Sequence, residues 1–344
     1  MSKNIINSKN DKFPLFKNIE LFNNLTKDSY AYGGVDNTFS IFKSIDNIIY
    51  LIYANEKLSI ICYDLINSQK INEVKNAHKK YITNFRYNLD KDNKRDLILS
   101  ISYEDNNIKL WKVKNFECLL NIDHVNDYGY LYSSCFLKDN NQIYIITSNF
   151  CYSNKLQPIK IFNIIGNKIK EIDDLKENVI YIDSYYDKIL SLNYIITGNN
   201  GYIISYNYNT NQLYHKYCNN DNKGHFSIII NSINEELNLI ESSCDGSIRM
   251  WGFHSGILLK RINVSNSGLN GICLWNEDYL FIGCDDKKIK ILDLKKMNII
   301  KNLIGHNSEV ITIKKIIHPL YGECMISQGL ENDQIKLWVN KMIF

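Results

Sequence analysis

The chain has 344 residues, 45% of them hydrophobic and 12% aromatic, with a formal net charge of +3. That is enough apolar content for a packed core and too little charge for a protein that works on duplex DNA or an anionic membrane surface. Nine cysteines are scattered with no Cys-x-x-Cys pair, and no apolar run approaches the ~18 residues of a bilayer-spanning helix, so neither a disulfide framework, a zinc site nor a membrane span is expected.

Residues 1–12 are polar, rich in Lys and Asn, and lack the apolar stretch of a secretory signal, so they read as a disordered tail. With reduced thiols, this points to a reducing compartment, the cytoplasm first and the nucleus second. Phe13 to Phe22 is apolar enough for a strand, and a loop containing Gly33-Gly34 follows it. Beyond that loop one phrase recurs, a polar turn leading into a short strand that ends on a large side chain. Its copies are Ser59-Ile60-Ile61-Cys62-Tyr63, Asp105-Asn106-Asn107-Ile108-Lys109-Leu110-Trp111, Pro158-Ile159-Lys160-Ile161-Phe162 and Tyr202-Ile203-Ile204-Ser205-Tyr206. It returns as Asp245-Gly246-Ser247-Ile248-Arg249-Met250-Trp251, Asp286-Lys287-Lys288-Ile289-Lys290-Ile291-Leu292 and Asn332-Asp333-Gln334-Ile335-Lys336-Leu337-Trp338.

The terminal positions 63, 111, 162, 206, 251, 292 and 338 are spaced by 48, 51, 44, 45, 41 and 46 residues. That period is close to the ~40–45 residues of a four-stranded propeller blade. Helical repeats are disfavoured, because the segments are short, rich in Ile and Tyr, and broken by Asn, Asp and Gly. The expectation is an all-β, seven-bladed propeller over residues 13–344, with blades near 38–75, 80–122, 128–173, 178–216, 225–263, 268–302 and 308 onward. After Trp338 only six residues remain, too few for a further strand. A strand near 15–22 is therefore expected to close the ring beside the strand of Trp338, since an open edge invites aggregation.

At these residues the chain resembles the WD-repeat family. Gly305-His306, Gly224-His225 and the altered copy Asn76-Ala77-His78 each precede a Trp phrase. The resemblance implies a hydrogen-bonded set in each such blade, in which a loop His donates to a turn Asp and a Ser or Thr completes the chain to the Trp. His78, Asp105 and Trp111 match it, as do His225, Asp245 and Trp251. His306, Asn332 and Trp338 match except at the turn, where Asn replaces Asp. Ser100, His78 and Asp105 have the residue types of a catalytic triad, but an active site has no reason to recur at one period, so the sets are read as structural. No catalytic residue, cofactor or metal cluster is expected.

The resemblance also implies that the residue before the turn Asp, and the residues just after the blade His, line the narrow face where partners dock. On this chain they include Lys80, Tyr81, Glu104, Asp285, Glu309 and Glu331, with Cys244 and Ser227 in equivalent places. Tyr128, Tyr130 and Tyr132 alternate along one face. Such tyrosines stack single-stranded RNA in some proteins, but packing between blades is the favoured reading. The lysine pairs are dispersed rather than forming a groove, and Lys260-Arg261 lacks the pattern of phosphoinositide-binding propellers. The reading is a non-enzymatic platform for peptide or protein partners within a larger complex. An RNA-binding propeller would need clustered basic loops, and a hydrolytic one a polar cluster in the channel apart from the repeated sets.

Overall fold

The computed structural model describes residues 19–32, 36–123, 125, 129–148, 150–151, 158–173, 178–218, 224–233 and 236–340, with the backbone alone for His225, Phe226 and Ile233. The tail at 1–12, Gly33-Gly34, Tyr128 and most of the 149–157 insertion lie outside the described residues. The rest is all β: seven sheets of four antiparallel strands, in chain order from the centre outward in six of them and with the N-terminal strand outermost in the seventh. Blades 1 to 6 span 39–74, 82–122, 134–172, 181–218, 225–263 and 269–304, and blade 7 combines 310–340 with the N-terminal strand. The chain is a seven-bladed β-propeller.

Each recurring phrase forms the third strand of its blade, from Ile60–Asp64 in blade 1 to Lys336–Asn340 in blade 7. The strand Ile19–Asn24 pairs antiparallel with Lys336–Asn340, Leu21 opposite Trp338, and so becomes the outer strand of blade 7. Its described bounds begin later than the expected 15–22, but it closes the ring where the edge argument requires.

Seven apolar clusters fill the seven seams between adjacent blades. Ile98 and Trp111 of blade 2 pack with Phe42, Ile52 and Cys62 of blade 1. Leu97, Leu99 and Leu110 turn instead toward Ile143, Ile145 and Phe162 of blade 3. Alternate side chains thus serve opposite neighbours, and strands buried on both faces read as near-continuous apolar runs of Ile and Leu. The last seam joins Leu51 and Ile61 of blade 1 to Ile326 and Leu337 of blade 7, so no blade face is left without a neighbour.

A β-bulge sits between third and outer strands in every blade, at Cys62/Tyr63, Leu110/Trp111, Ile161/Phe162, Ser205/Tyr206, Met250/Trp251 and Ile291/Leu292, and at Leu21/Asn23 opposite Trp338. The extra residue adds twist at the same depth in each blade. The turns before the third strands need left-handed backbone, taken by Asn106 (φ 49°), Gly246 (φ 81°) and Lys287 (φ 67°). At Gly246 a Cβ would lie 2.0 Å from the Ser265 carbonyl oxygen, so only glycine fits there.

Candidate functional site

The repeated polar sets are present, each in a different form. In blade 7 the set is complete: His306 Nδ1 meets Asp333 Oδ2 at 2.7 Å, and His306 Nε2 meets Ser327 Oγ at 2.6 Å. Trp338 Nε1 donates to the same Ser327 Oγ at 2.7 Å. The acid is therefore Asp333, not a substituted Asn332. Asn332 is exposed, while Asp333 is buried and also pairs with Lys336 at 3.1 Å. His306 and Lys336 hold the Asp333 carboxylate well below its ordinary range although burial opposes this. Burial pushes His306 itself down, toward the neutral imidazole.

In blade 2, His78 Nε2 and Trp111 Nε1 both reach Ser100 Oγ at 2.8 Å. Asp105 does not accept from His78 as expected. Its Oδ2 instead takes the main-chain N–H groups of Lys79 and Lys80, at 2.8 and 2.9 Å, and so fastens the loop rather than the ring. Burial, then the charge of Lys109, lowers His78 to about 3. In blade 5 the serine position holds Glu241, which accepts from Trp251 Nε1 at 2.9 Å and pairs with the fully buried Arg249 at 3.3 Å. Arg249 also pairs with Asp245, as does Arg261 at 2.9 Å. The His225 side chain lies outside the described residues, so Asp245 and Trp251 stand in the structure with Glu241 and Arg249. Three different chemistries at one repeated place argue that the place serves the scaffold.

Lysines do similar work. In the third strands Lys109, Lys160 and Lys290 donate to the carbonyls of Ala77, Val125 and Val264 in the loop that precedes each blade. Lys138 and Lys315 donate to Leu89 and Trp275 carbonyls of the preceding blade, both at 2.7 Å. The Ile-Lys-Ile/Leu repetition in the sequence was the signal for the third-strand lysines Lys109, Lys160 and Lys290.

Antiparallel order puts the turn between second and third strands, and the connection from outer strand to next inner strand, at the same end of every blade. All six rim residues belong to this loop face. Lys80 and Glu104 form an ion pair at 3.2 Å, both well exposed. Tyr81 stacks on Tyr30 and Tyr32 at 4.9 Å each. Across blades 6 and 7, burial and then the carboxylates of Asp285 and Glu331 push Glu309 above its ordinary value, so the three acids share one neighbourhood. Glu331 exchanges main-chain hydrogen bonds with Ala31, at 2.8 and 3.1 Å, which fixes the acidic group beside Tyr30 and Tyr32.

The aromatic contacts extend much further than the sequence indicated. From Tyr32 they pass to Tyr103 at 6.2 Å, and Tyr103 stacks on Tyr130 at 4.5 Å and meets Tyr132 edge-on at 4.9 Å. Tyr132 meets Phe150 at 5.0 Å. Every ring in this strip is half-buried, and the rings come from loops of blades 1, 2 and 3. Pairs of this kind add about 0.5–1.5 kcal/mol each beyond burial, which stiffens the loops that carry them.

The central channel holds a second polar group. Arg86 of blade 2 donates to the Ser134 carbonyl of blade 3 at 3.0 Å, and to the Ile182 carbonyl and Asp183 carboxylate of blade 4 at 3.1 and 3.2 Å. Asp36, just before blade 1, accepts from Ser227 Oγ of blade 5 at 2.9 Å and pairs with Lys314 of blade 7 at 3.5 Å. Ser227 Oγ also takes the Ile272 N–H of blade 6 at 3.3 Å. Ser227 therefore belongs to the channel rather than the rim. The groups border a cavity of about 360 Å³ that is also lined by Tyr181 and Cys273. Burial raises the Cys273 thiol to about 11, so it is not a thiolate. No imidazole is among the described residues lining the cavity. Among the described residues no group of three or more His, Cys, Asp or Glu is placed to hold a metal ion. A charge inside an apolar inner strand, as at Phe85-Arg86 or Ile182-Asp183, was the available signal for this network.

No known family profile matches the chain. It is similar to the U3 small nucleolar RNA-associated protein 21 homolog of Schizosaccharomyces pombe, 27% identical over 84 residues. The match covers 24% of this chain and spans only 9% of that relative's length. No helix among the described residues is long and apolar enough to cross a membrane.

Proposed function

We propose that the chain is a divergent WD-repeat propeller and a non-enzymatic platform for protein or peptide partners, acting as one subunit of a larger complex in the cytoplasm or nucleus. The loop face carries the reading. There an aromatic strip and an acidic group stand side by side on loops locked by stacking, so a partner segment binds with little ordering cost. The tyrosine strip favours one other reading, an RNA-binding subunit, as does the RNA association named for the similar yeast protein. The acidic residues beside the strip weigh against a polyanion. Hydrolysis is disfavoured, because the channel serine already donates to Asp36 and lacks an adjoining imidazole among the described residues.

Affinity purification with mass spectrometry tests the platform. Wild-type protein is expected to retain a defined set of partners that Tyr81→Ala and the pair Asp285→Lys/Glu331→Lys lose while keeping normal folding. Recovery of the same partners by all three proteins would move the interface off this face.

A further inference from the structure

The platform reading leaves open what chemistry the partner carries, and two features of the loop face answer that together. The first is geometric. Tyr30, Tyr81, Tyr32 and Tyr103 follow one another at centroid steps of 4.9 to 6.2 Å, half-buried, with their ring planes between 19° and 48° apart. Such half-exposed rings attract planar cations at their solvent-facing surfaces, while the stacked pairs at 4.9 Å leave no gap between rings for a further group. The second is charge. Glu331 is hydrogen-bonded through its main chain to Ala31, between two of those tyrosines, and Glu309 faces both Glu331 and Asp285. Lys287 opposes the two acids at Glu309 but does not outweigh them. Lys80 is taken up by Glu104. The strip is thus bordered by carboxylates that repel one another.

We propose that the strip from Tyr30 to Tyr103, with Glu309 and Glu331 at its border, binds an extended peptide segment carrying arginine. The inference rests on the loop face being the platform. A guanidinium stacks on a tyrosine face while its N–H groups reach a carboxylate, a double fit that the compact lysine ammonium makes less well. An incoming cation also relieves the mutual repulsion of the three acids. The same surface repels nucleic acid, since the phosphate backbone brings the wrong sign to it.

The test uses fluorescence anisotropy of the full chain with four labelled probes: twelve-residue Gly-Arg, Gly-Lys and Gly-Glu repeat peptides and a twelve-nucleotide oligouridine. The Gly-Arg peptide is expected to bind several-fold tighter than Gly-Lys, and Gly-Glu and oligouridine not at all. Glu309→Gln with Glu331→Gln should weaken Gly-Arg binding about tenfold at low salt and little at high salt, because exposed charges are screened. Tyr81→Ala should weaken it about five- to tenfold at every salt concentration, because it removes the ring on which Tyr30 and Tyr32 both stack and with it the ordered aromatic surface that meets the cation. Circular dichroism establishes that each variant is folded, and the salt dependence of the wild-type protein gives a readout that needs no variant. Oligouridine binding in place of Gly-Arg would overturn the proposal in favour of RNA. A random twelve-residue peptide library, selected on wild-type and on Tyr81→Ala protein, separates the two levels of inference. Uncharged winners lost in the variant would overturn the arginine proposal and leave the platform standing. Winners indifferent to every loop-face change would overturn both.

Discussion

Three alanine substitutions in equivalent turns should have very different costs. Asp333→Ala removes the acceptor of His306 Nδ1 and of the Asn307 and Ser308 main-chain N–H groups, and it also strips Lys336 of its buried partner. Each buried group left without a partner costs about 1–3 kcal/mol, so with partial rearrangement the loss is about 4–6 kcal/mol. Asp105→Ala releases only two exposed main-chain N–H groups that water replaces, a loss of about 1 kcal/mol. Asn332 is exposed, and its alanine variant should stay within about 0.5 kcal/mol of wild type. For 344 residues the unfolding entropy is about 0.7 kcal/mol/K, so each kcal/mol moves Tm by about 1.4 °C if the ring unfolds as one unit. The expected falls are then about 6–8 °C for Asp333→Ala, about 1–2 °C for Asp105→Ala, and under about 1 °C for Asn332→Ala. Differential scanning calorimetry measures all three and reports whether unfolding is a single transition. Equal losses at Asp333 and Asp105, or a larger loss at Asn332, would refute the assignment of the blade 7 acid.

Further predictions concern acid, the buried arginine and the ring closure. His78 is held neutral down to about pH 3, whereas the unfolded chain protonates it near 6.5, so the unfolded state binds more protons between these values and stability falls as pH drops below 6.5. By pH 5 this amounts to about 2 kcal/mol, and His78→Gln should flatten that slope in urea titrations at pH 7, 6 and 5. His306 is lowered as well and adds in the same direction. Arg249→Ala should cost about 3–5 kcal/mol by leaving Glu241 buried without its cation, and adding Glu241→Gln should recover part of the loss, read as non-additive denaturation midpoints. Deleting residues 1–12 should leave the melting profile unchanged. Deleting 1–24 removes the partner of Lys336–Asn340 and should produce aggregation in size-exclusion chromatography.

The architecture was legible because it repeats. Each blade has to place a large side chain at the same depth of its third strand, so Tyr63, Trp111, Phe162, Tyr206, Trp251, Leu292 and Trp338 mark all seven strands even though only three are Trp. The acid of blade 7 was misplaced for a local reason. Its third strand starts two residues before the Trp, whereas that of blade 2 starts four before, so counting back six residues lands on the exposed Asn332. Glu241 was missed because a Glu–Arg pair replaces a serine, an exchange visible only when facing strands are read together. The tyrosine strip and the channel network are tertiary. Tyr30 meets Tyr81 from loops on either side of blade 1, and Asp36 meets Ser227 from 191 residues away, and neither pairing leaves a trace in local periodicity.

The way the ring closes bears on how this protein is made. The strand Ile19–Asn24 leaves the ribosome far ahead of its partner Lys336–Asn340. At about 5–20 residues per second, the interval between Leu21 and Trp338 is roughly 15–60 s. During that time six blades can assemble while the N-terminal strand still has no sheet to join. Leu21 and Phe22, which remain 37% and 48% exposed even in the finished ring, are then fully available to other nascent chains. A holdase that shields this short segment until Lys336–Asn340 emerges would raise the yield of closed rings without touching any of the seven seams.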